Sequence, residues 1–144
     1  MNASVTGAFH DLARIQDRLD RTPFNAWLAL RAVSASPDGV VFELKARQEF
    51  VSTPERQIVH GGVLASLLDA AAIYAVITAT GCLQTTVDLR VDYHATAAVG
   101  LLRARGTLVR LGKTLSCSDA RVEDEAGKLV ASGRGTFLNI GLPA

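Results

Sequence analysis

Between Gly61 and Val87 the sequence contains a single charged residue, Asp69. The segment around it consists almost entirely of Leu, Ala, Ile and Val, and these apolar residues occupy every side of a helix. A helix that is apolar all round must be buried on most of its faces. We therefore predict a buried helix over residues 61–79, with Gly81 as its C-terminal stop signal. Any fold of this chain has to cover this helix.

The apolar segment raises the question of a membrane span, which Asp69 argues against. A carboxylate at the centre of a transmembrane helix costs about 2.5–3.5 kcal/mol on insertion scales, and alanine returns little of that. We therefore predict the core helix of a globular domain. An acid in that position is either satisfied by polar neighbours or used in chemistry, because burying an unpaired carboxylate is costly.

After the helix, apolar residues recur with a period of two. Alternation of apolar and polar residues is typical of half-buried strands, and glycine-containing turns separate the segments. The predicted strands are residues 85–94, 101–111, 115–124 and 128–140.

The residues before the helix predict shorter elements. Residues 9–20 have the spacing of a short amphipathic helix that Pro23 ends. Residues 27–33 and 40–46 are interpreted as two strands joined by a turn at Pro37 and Gly39. Residues 48–59 show no period and are predicted to be a loop.

These elements predict an α+β fold in which an antiparallel sheet of about six strands wraps around one long central helix. A chain of 144 residues fits one domain, which we assign to residues 1–144. The net charge of +1 gives no field that would attract nucleic acid or an anionic membrane. Charged residues near the start argue against a signal peptide. The two cysteines lack C-x-x-C spacing and fit reduced residues in a cytoplasmic protein. No metal site is expected, because the histidines have no partners at metal-ligand spacing.

The sequence His60-Gly61-Gly62 at the start of the helix predicts a site for an oxyanion. The first amide N–H groups of a helix have no intrahelical acceptor, and glycine lets a ligand approach them closely. Asp69 follows Gly61 by eight residues and His60 by nine. A separation of nine residues corresponds to half a turn net and about 13 Å along the helix axis. The acid and the amides can therefore meet at one carbonyl only if they come from two copies of the chain related by a two-fold axis.

The chain resembles the hotdog-fold acyl-CoA thioesterases, in the branch of the phenylacetate-pathway and 4-hydroxybenzoyl-CoA thioesterases. The resemblance covers residues 22–138. It is carried by these segments, in this order: Pro23-Phe24-Asn25, His60-Gly61-Gly62 with Asp69, Thr86-Val87-Asp88-Leu89-Arg90-Val91-Asp92-Tyr93, Gly112-Lys113-Thr114-Leu115, Gly127-Lys128-Leu129-Val130-Ala131 and Gly135-Thr136-Phe137.

The resemblance implies a role for each matching residue. Asp69 would be the nucleophile or the general base, and the N–H of Gly61 from the facing subunit would polarise the thioester carbonyl. His60 would shape that end of the site, and Thr86 would position water or the carboxylate. Related proteins often have Asn six residues before the His, where this chain has Pro54, so that either Gln57 supplies the amide or the site lacks it.

The predicted substrate contacts are Asn25, Gly62, Arg110 and Lys113, the last two as partners of the CoA phosphates. Burial among apolar residues should raise the pKa of Asp69 and strengthen it as a base. No cofactor is expected, because CoA is part of the substrate. The expected assembly is a homodimer as the minimal unit, within a homotetramer, and the acyl group is aromatic or medium-chain. Two alternatives stay open: an acyl-thioester dehydratase or hydratase, and a non-catalytic acyl-CoA binding module.

Overall fold

The computed structural model describes residues 9–144. The elements, in chain order, are helices α1 (Leu12–Arg21) and α2 (Pro23–Leu28), strands β1 (Arg31–Ser36), β2 (Gly39–Ala46), β3 (Val51–Thr53) and β4 (Ile58–Val59), helix α3 (Gly61–Thr80), and strands β5 (Cys82–Tyr93), β6 (Gly100–Arg110), β7 (Leu115–Glu123) and β8 (Leu129–Pro143). The first eight residues of the predicted domain lie outside this description.

Six antiparallel strands form one sheet in the order β1-β2-β6-β7-β8-β5, and β3 and β4 form a separate small hairpin. The sheet curves around α3, whose buried side chains include Leu64, Leu67 and Leu68. Large apolar residues of the strands cover the helix from the inner face, among them Phe42 and Phe137. The prediction of a hotdog fold with six strands around a central helix is confirmed.

The ends of α3 agree with the signals in the sequence. His60 is the N-cap, and Gly81 is the C-cap with a left-handed φ of 65°, a conformation that glycine adopts without strain. The helix is long and apolar enough to cross a membrane, but 61% of its most apolar window is buried inside the protein. Its apolar surface is therefore accounted for by the domain's own core.

The prediction of a strand over residues 27–33 was wrong in its first half. Pro23 ends α1 as predicted, but it also occupies the first turn of α2, where its fixed φ favours helix. Trp27 belongs to this helix, and its ring lies 5.2 Å from that of Phe50. Ala29, at a left-handed φ of 56°, ends α2 so that β1 begins only at Arg31.

The predicted loop over residues 48–59 contains short elements that its sequence did not indicate. A single 3-10 turn at Gln48–Phe50 leads into β3, which pairs with β4. A bulge interrupts this pairing between Val51 and Thr53. Gln57 lies in the turn of this hairpin with a left-handed φ of 53°. Period-two alternation cannot be detected in strands of two or three residues.

Helix α3 approaches the sheet closely at β6 and β7. The hydroxyl of Ser118 donates a hydrogen bond of 2.6 Å to the carbonyl oxygen of Ala72. On the neighbouring strand Gly106 faces the backbone of Ala71, and a Cβ added at Gly106 would overlap the Ala71 carbonyl oxygen. The separation between helix and sheet at this point therefore requires glycine.

We expect the substitution Gly106→Ala to lower the free energy of unfolding by about 1–3 kcal/mol or more, because its methyl group meets backbone that cannot turn away. The thermal unfolding midpoint measures this loss. The control is Gly127→Asn, because Gly127 has a left-handed φ of 80° with open space around it, and asparagine tolerates that conformation. Equal midpoints for Gly106→Ala and the wild type would show that the helix does not depend on this contact.

Candidate active site

Asp69 lies in the middle of α3 on the side that faces the start of β5. Its carboxylate accepts a hydrogen bond of 2.8 Å from the Thr86 hydroxyl. Within residues 9–144, Thr86 is the one hydrogen-bond donor recorded for this carboxylate. A bulge in the pairing of β5 with β8 falls between Thr86 and Asp88. Bulges redirect side chains next to functional sites, and here the bulge follows the residue that contacts the acid.

The environment of Asp69 has the character expected of a base. Burial raises the pKa of Asp69, and the hydrogen bond from Thr86 acts in the opposite direction. The acid is only half-buried, so its carboxylate keeps access to a cavity of about 340 Å³. A carboxylate that is partly desolvated and opens on a cavity can accept a proton from water or attack a carbonyl.

The cavity next to Asp69 has mainly apolar walls. Asn25, a predicted substrate contact, and Ser66 line this cavity together with Asp69. The other lining residues come from α1, α2, the second half of α3 and the strands at the sheet edge: Arg18, Thr22, Phe24, Ala70, Ile73, Tyr74, Ile77, Leu83, Gln84 and Ile140. The cavity therefore extends from the acid towards the C-terminal end of α3.

The start of α3 forms a second group of predicted residues. The ring nitrogen Nδ1 of His60 accepts a hydrogen bond of 2.8 Å from the N–H of Gly62. This bond requires the neutral tautomer of His60 with its proton on Nε2. The N–H of Gly62 is thereby occupied, whereas the N–H of Gly61 has no recorded acceptor within residues 9–144. The helix start thus offers the Gly61 amide to a ligand.

Tyr93, at the end of β5, covers the helix start from one side. Its hydroxyl donates a hydrogen bond of 2.8 Å to the carbonyl oxygen of Gly61, and a Cβ added at Gly61 would lie 3.2 Å from the Tyr93 ring. The space at Gly61 is therefore tight on the Tyr93 side. None of His60, Gly61 and Gly62 lines the cavity beside Asp69.

The remaining predicted residues lie elsewhere in the chain. Gln57 donates a hydrogen bond of 2.9 Å from its side-chain Nε2 to the carbonyl oxygen of Pro54 within the β3–β4 turn. Arg110 is the last residue of β6, and Lys113 follows in the connection to β7. None of the three lines the Asp69 cavity, and their roles stay predictions.

A larger open groove of about 480 Å³ lies on the outer face of the sheet. Arginine and aspartate side chains line it, including an ion pair of 2.6 Å between Arg134 and Asp119. It contains none of the predicted site residues. Within residues 9–144, no three His, Cys, Asp or Glu side chains are grouped so that they could hold a metal ion.

Sequence reasoning missed Gln84, Arg18 and Ser66 in the cavity lining. Gln84 precedes Thr86 by two residues on the same strand, so the period of two could have placed both on one face. Arg18 had no comparable signal, because only the tertiary packing of α1 brings it to the cavity. Ser66 donates its hydroxyl to the Gly62 carbonyl oxygen at 2.8 Å, the usual bond of a serine inside a helix.

Residues 56–131 match the family model of the thioesterase superfamily. A solved structure described as a thioesterase-superfamily protein is 44% identical, with a TM-score of 0.85 over 88% of this chain and 96% of that one. The Escherichia coli PaaI protein from the phenylacetic acid degradation operon has the same fold, with a TM-score of 0.82, 22% identity and coverage of 91% and 94%. The medium/long-chain acyl-CoA thioesterase YigI of Escherichia coli is 25% identical over 131 residues, 81% of this chain and 84% of YigI.

The chain therefore belongs to the thioesterase superfamily and has its hotdog fold. Within that family it is a thioester hydrolase, and the resemblance found in its motifs is confirmed.

We expect Thr86→Val to move the acid limb of the pH profile of kcat/KM to higher pH. The hydroxyl favours the ionised carboxylate, so that its removal raises the pKa of Asp69 further and leaves less of the base ionised at mildly acidic pH. The control is Thr86→Ser, which keeps a hydroxyl at the same position. Identical acid limbs in the wild type and Thr86→Val would remove Thr86 from the control of this acid.

Proposed function

We propose that this protein hydrolyses the thioester of an aromatic or medium-chain acyl-CoA to the free acid and CoA. The main support is the half-buried carboxylate of Asp69, held by Thr86 at 2.8 Å and opening on a cavity with mainly apolar walls. The similarity to YigI, an acyl-CoA thioesterase, supports CoA as the thiol. CoA is then part of the substrate, and the reaction needs no separate cofactor.

The proposed chemistry uses one carboxylate and one amide. The N–H of Gly61 polarises the thioester carbonyl and stabilises the oxyanion that forms when it is attacked. As a general base, Asp69 takes a proton from water, whose oxygen then bonds to the carbonyl carbon while the C–S bond breaks and CoA thiolate leaves. As a nucleophile, Asp69 itself displaces the thiolate and forms an anhydride that water opens. Either route fits a good leaving thiolate without a serine triad.

The two groups cannot act together within one chain. Gly61 and Asp69 are eight residues apart on the same helix, about 12 Å along its axis, and only Asp69 lines the cavity. An amide that far from the acid cannot contact the carbonyl that the acid attacks. The proposed site therefore combines Asp69 of one protomer with Gly61 of its partner.

Strand β5 offers the contact that would bring them together. It lies at the edge of the sheet, and among residues 9–144 it pairs only with β8, so that these residues leave the other side of the 12-residue strand open. Thr86, which contacts Asp69, lies towards one end of β5, and Tyr93, which contacts Gly61, lies at the other. Antiparallel pairing of two β5 strands about a two-fold axis near Leu89 and Arg90 would set Thr86 opposite the second copy of Tyr93.

We propose a homodimer formed through β5 as the minimal active unit, associated further into a homotetramer. Edge-to-edge pairing would also cover an exposed edge that otherwise invites aggregation. The near-neutral net charge of +1 supports a protein that works without nucleic acid or a membrane surface. The two cysteines lack the spacing of a disulfide framework, which supports a cytoplasmic location.

We expect Asp69→Asn to abolish the release of CoA, measured with a thiol reagent on a panel of aromatic and medium-chain acyl-CoA esters. A neutral amide can neither take a proton from water nor attack the carbonyl.

The same substitution should also affect stability. Burial raises the pKa of Asp69 above its value in the unfolded chain, so that folding favours the neutral carboxyl over the carboxylate. The free energy of unfolding therefore decreases as the pH rises through the pKa that Asp69 has in the folded state. Asparagine stays neutral, so that Asp69→Asn should unfold at or above the wild-type temperature at pH 7.

Three results would contradict this assignment. Near-normal thiol release by a folded Asp69→Asn variant would remove Asp69 from the mechanism. Hydration of an enoyl-CoA by the wild type, with the thioester left intact, would identify a hydratase instead. Binding of CoA esters without either reaction would identify a binding module.

The shared site is tested by mixing two inactive variants. Gly61→Pro removes the N–H, and proline is favoured at the first position of a helix, so that α3 should still form. We expect Gly61→Pro and Asp69→Asn each to be inactive alone, and their purified heterodimer to recover about half the wild-type rate, because one of its two sites then has both groups.

The matched control is Gly61→Ala, which adds the same Cβ beside Tyr93 but keeps the N–H. It should keep most of the activity that Gly61→Pro loses. A heterodimer as inactive as its two parents would show that the acid and the amide do not come from different protomers.

A further inference from the structure

The open groove on the outer face of the sheet, which we call the outer groove, is positively charged. Four arginines and two aspartates are among the residues that line it, and they give it a net charge of +2: Arg90, Asp92, Arg105, Asp119, Arg121 and Arg134. The net charge of the whole chain is +1. None of these six side chains lines the Asp69 cavity. The outer groove therefore differs in charge and in position from the proposed catalytic site.

Strand pairing places the arginines of the outer groove directly opposite each other. Arg105 of β6 is opposite Arg121 of β7, and Arg134 of β8 is opposite Arg90 of β5. The Cβ atoms of directly opposite residues lie about 4.5–5.5 Å apart, and like charges in such pairs destabilise a sheet. Two pairs of this kind in one groove indicate a role other than the stability of the sheet.

Two of the arginines are oriented by the aspartates of the groove. Arg134 donates from its side chain to both carboxylate oxygens of Asp119, at 2.6 and 2.9 Å. Arg90 donates to Asp92 at 3.3 and 3.4 Å. A guanidinium group has five N–H donors, so that each of these arginines keeps donors for a ligand.

The other two arginines lie on the β6–β7 side of the groove. Arg121 forms an ion pair of 2.8 Å with Glu123, which does not line the groove. The exposed side chain of Arg105 has no ion pair or hydrogen bond within residues 9–144. Arg105 therefore faces the charge of Arg121 without an acid of its own.

Short polar side chains stand between the arginines. Ser132 is opposite Arg121, Thr107 is opposite Asp119, and all four line the groove. Because serine and threonine are shorter than arginine, the surface is concave here, with a volume of about 480 Å³. This volume is in the usual range of small-molecule sites. The hydroxyl groups can also donate to an anion that the arginines hold.

We propose that the outer groove binds a compact anion with two adjacent phosphate groups, either inorganic pyrophosphate or the diphosphate of a nucleotide. One phosphate would bind between Arg105 and Arg121, because guanidinium groups match phosphate oxygens with paired N–H donors. Arg134 would hold the second phosphate, since it is the diagonal neighbour of Arg121, about 7–8 Å away on the adjacent strand. This site goes beyond the proposed function and does not depend on it.

The charge of the groove favours a diphosphate over smaller anions. A single carboxylate would neutralise only half of the net charge of +2 and would contact only one part of the arginine cluster. A diphosphate has a phosphate group for the Arg105–Arg121 pair and another for Arg134. A neutral ligand would leave the repulsion between the opposed arginines unchanged.

The test is a calorimetric titration of the wild-type protein with phosphate, pyrophosphate, ADP and adenosine at low ionic strength, since salt screens exposed charges. We expect the tighter binder of pyrophosphate and ADP to bind at least about tenfold more tightly than phosphate. Tighter binding of ADP than of pyrophosphate supports a nucleotide as the ligand, and equal or weaker binding of ADP supports the inorganic diphosphate. Absence of binding, phosphate binding as tight as either diphosphate, or adenosine binding as tight as ADP overturns the inference.

The substitution Arg105→Gln locates the site. It removes the arginine that has no acid partner, and the affinity for the diphosphate should fall about tenfold or more. The matched control is Arg110→Gln, which removes the same charge five residues further along β6, outside the groove. Its effect should be much smaller. Equal losses in the two variants, or a loss in Arg110→Gln alone, would place the anion elsewhere and overturn the inference.

Thermal unfolding distinguishes a ligand contact from a structural role of Arg105. Without an anion, Arg105→Gln should unfold at or above the wild-type temperature, because it removes one of two opposed charges. Pyrophosphate should raise the unfolding midpoint of the wild type and not that of Arg105→Gln. A lower midpoint of Arg105→Gln without an anion would show that Arg105 stabilises the sheet, and would overturn the inference.

Thiol release shows whether the outer groove is separate from the catalytic site. Arg105→Gln should keep the wild-type KM for acyl-CoA esters, because the groove shares no lining residue with the Asp69 cavity. A rise in KM that parallels the loss of diphosphate affinity would make the groove part of the CoA site and overturn a separate one. If no ester releases thiol, the proposed function fails, whereas the titrations and the unfolding midpoints still decide this inference.

Discussion

The close contact between α3 and the inner face of the sheet is the constraint on which the site depends. Gly106 allows the backbone of Ala71 to approach β6, and Ser118 holds the carbonyl of Ala72 from β7. A helix that is apolar all round has no preferred rotation from its own pattern. These contacts define one rotation and one axial position, and Asp69 thereby faces β5 and the cavity.

The electrostatics of the site follow from where the apolar core ends. Asp69 belongs to a helix of the core, yet its carboxylate reaches the edge of the sheet, where Thr86 supplies a single hydrogen bond. One bond offsets only part of the desolvation, so the pKa of the acid stays raised. Further donors would stabilise the ionised form and weaken it as a base. The sparse polar surroundings are therefore part of the chemistry that we propose.

The elements that could be predicted are those with a long, regular period. Helix α3 and the four strands after it have many residues in phase, and their tertiary surroundings agree with the local pattern. Helix α2 was missed because the apolar run that begins at Trp27 resembles a buried strand, whereas Pro23 and aromatic packing favour a helix. The site residues Asp69 and Thr86 were predicted from motifs that resemble a family. Gln84 was not, because no motif covers it, although its spacing of two from Thr86 puts both residues on one face of β5.

Helix α3 contributes to two sites of the proposed dimer, and this limits the insertions and deletions that the sequence can tolerate. The helix presents its start and its middle to two different sites in the proposed dimer, and both depend on one attachment to the sheet near Ala72. A residue inserted between Gly61 and Asp69 would turn the helix start by about 100° and shift it by about 1.5 Å relative to the acid. Surface loops such as the β3–β4 turn can vary in length without that effect. Relatives that keep the activity should therefore differ in loop length but have the same number of residues between the diglycine and the acid.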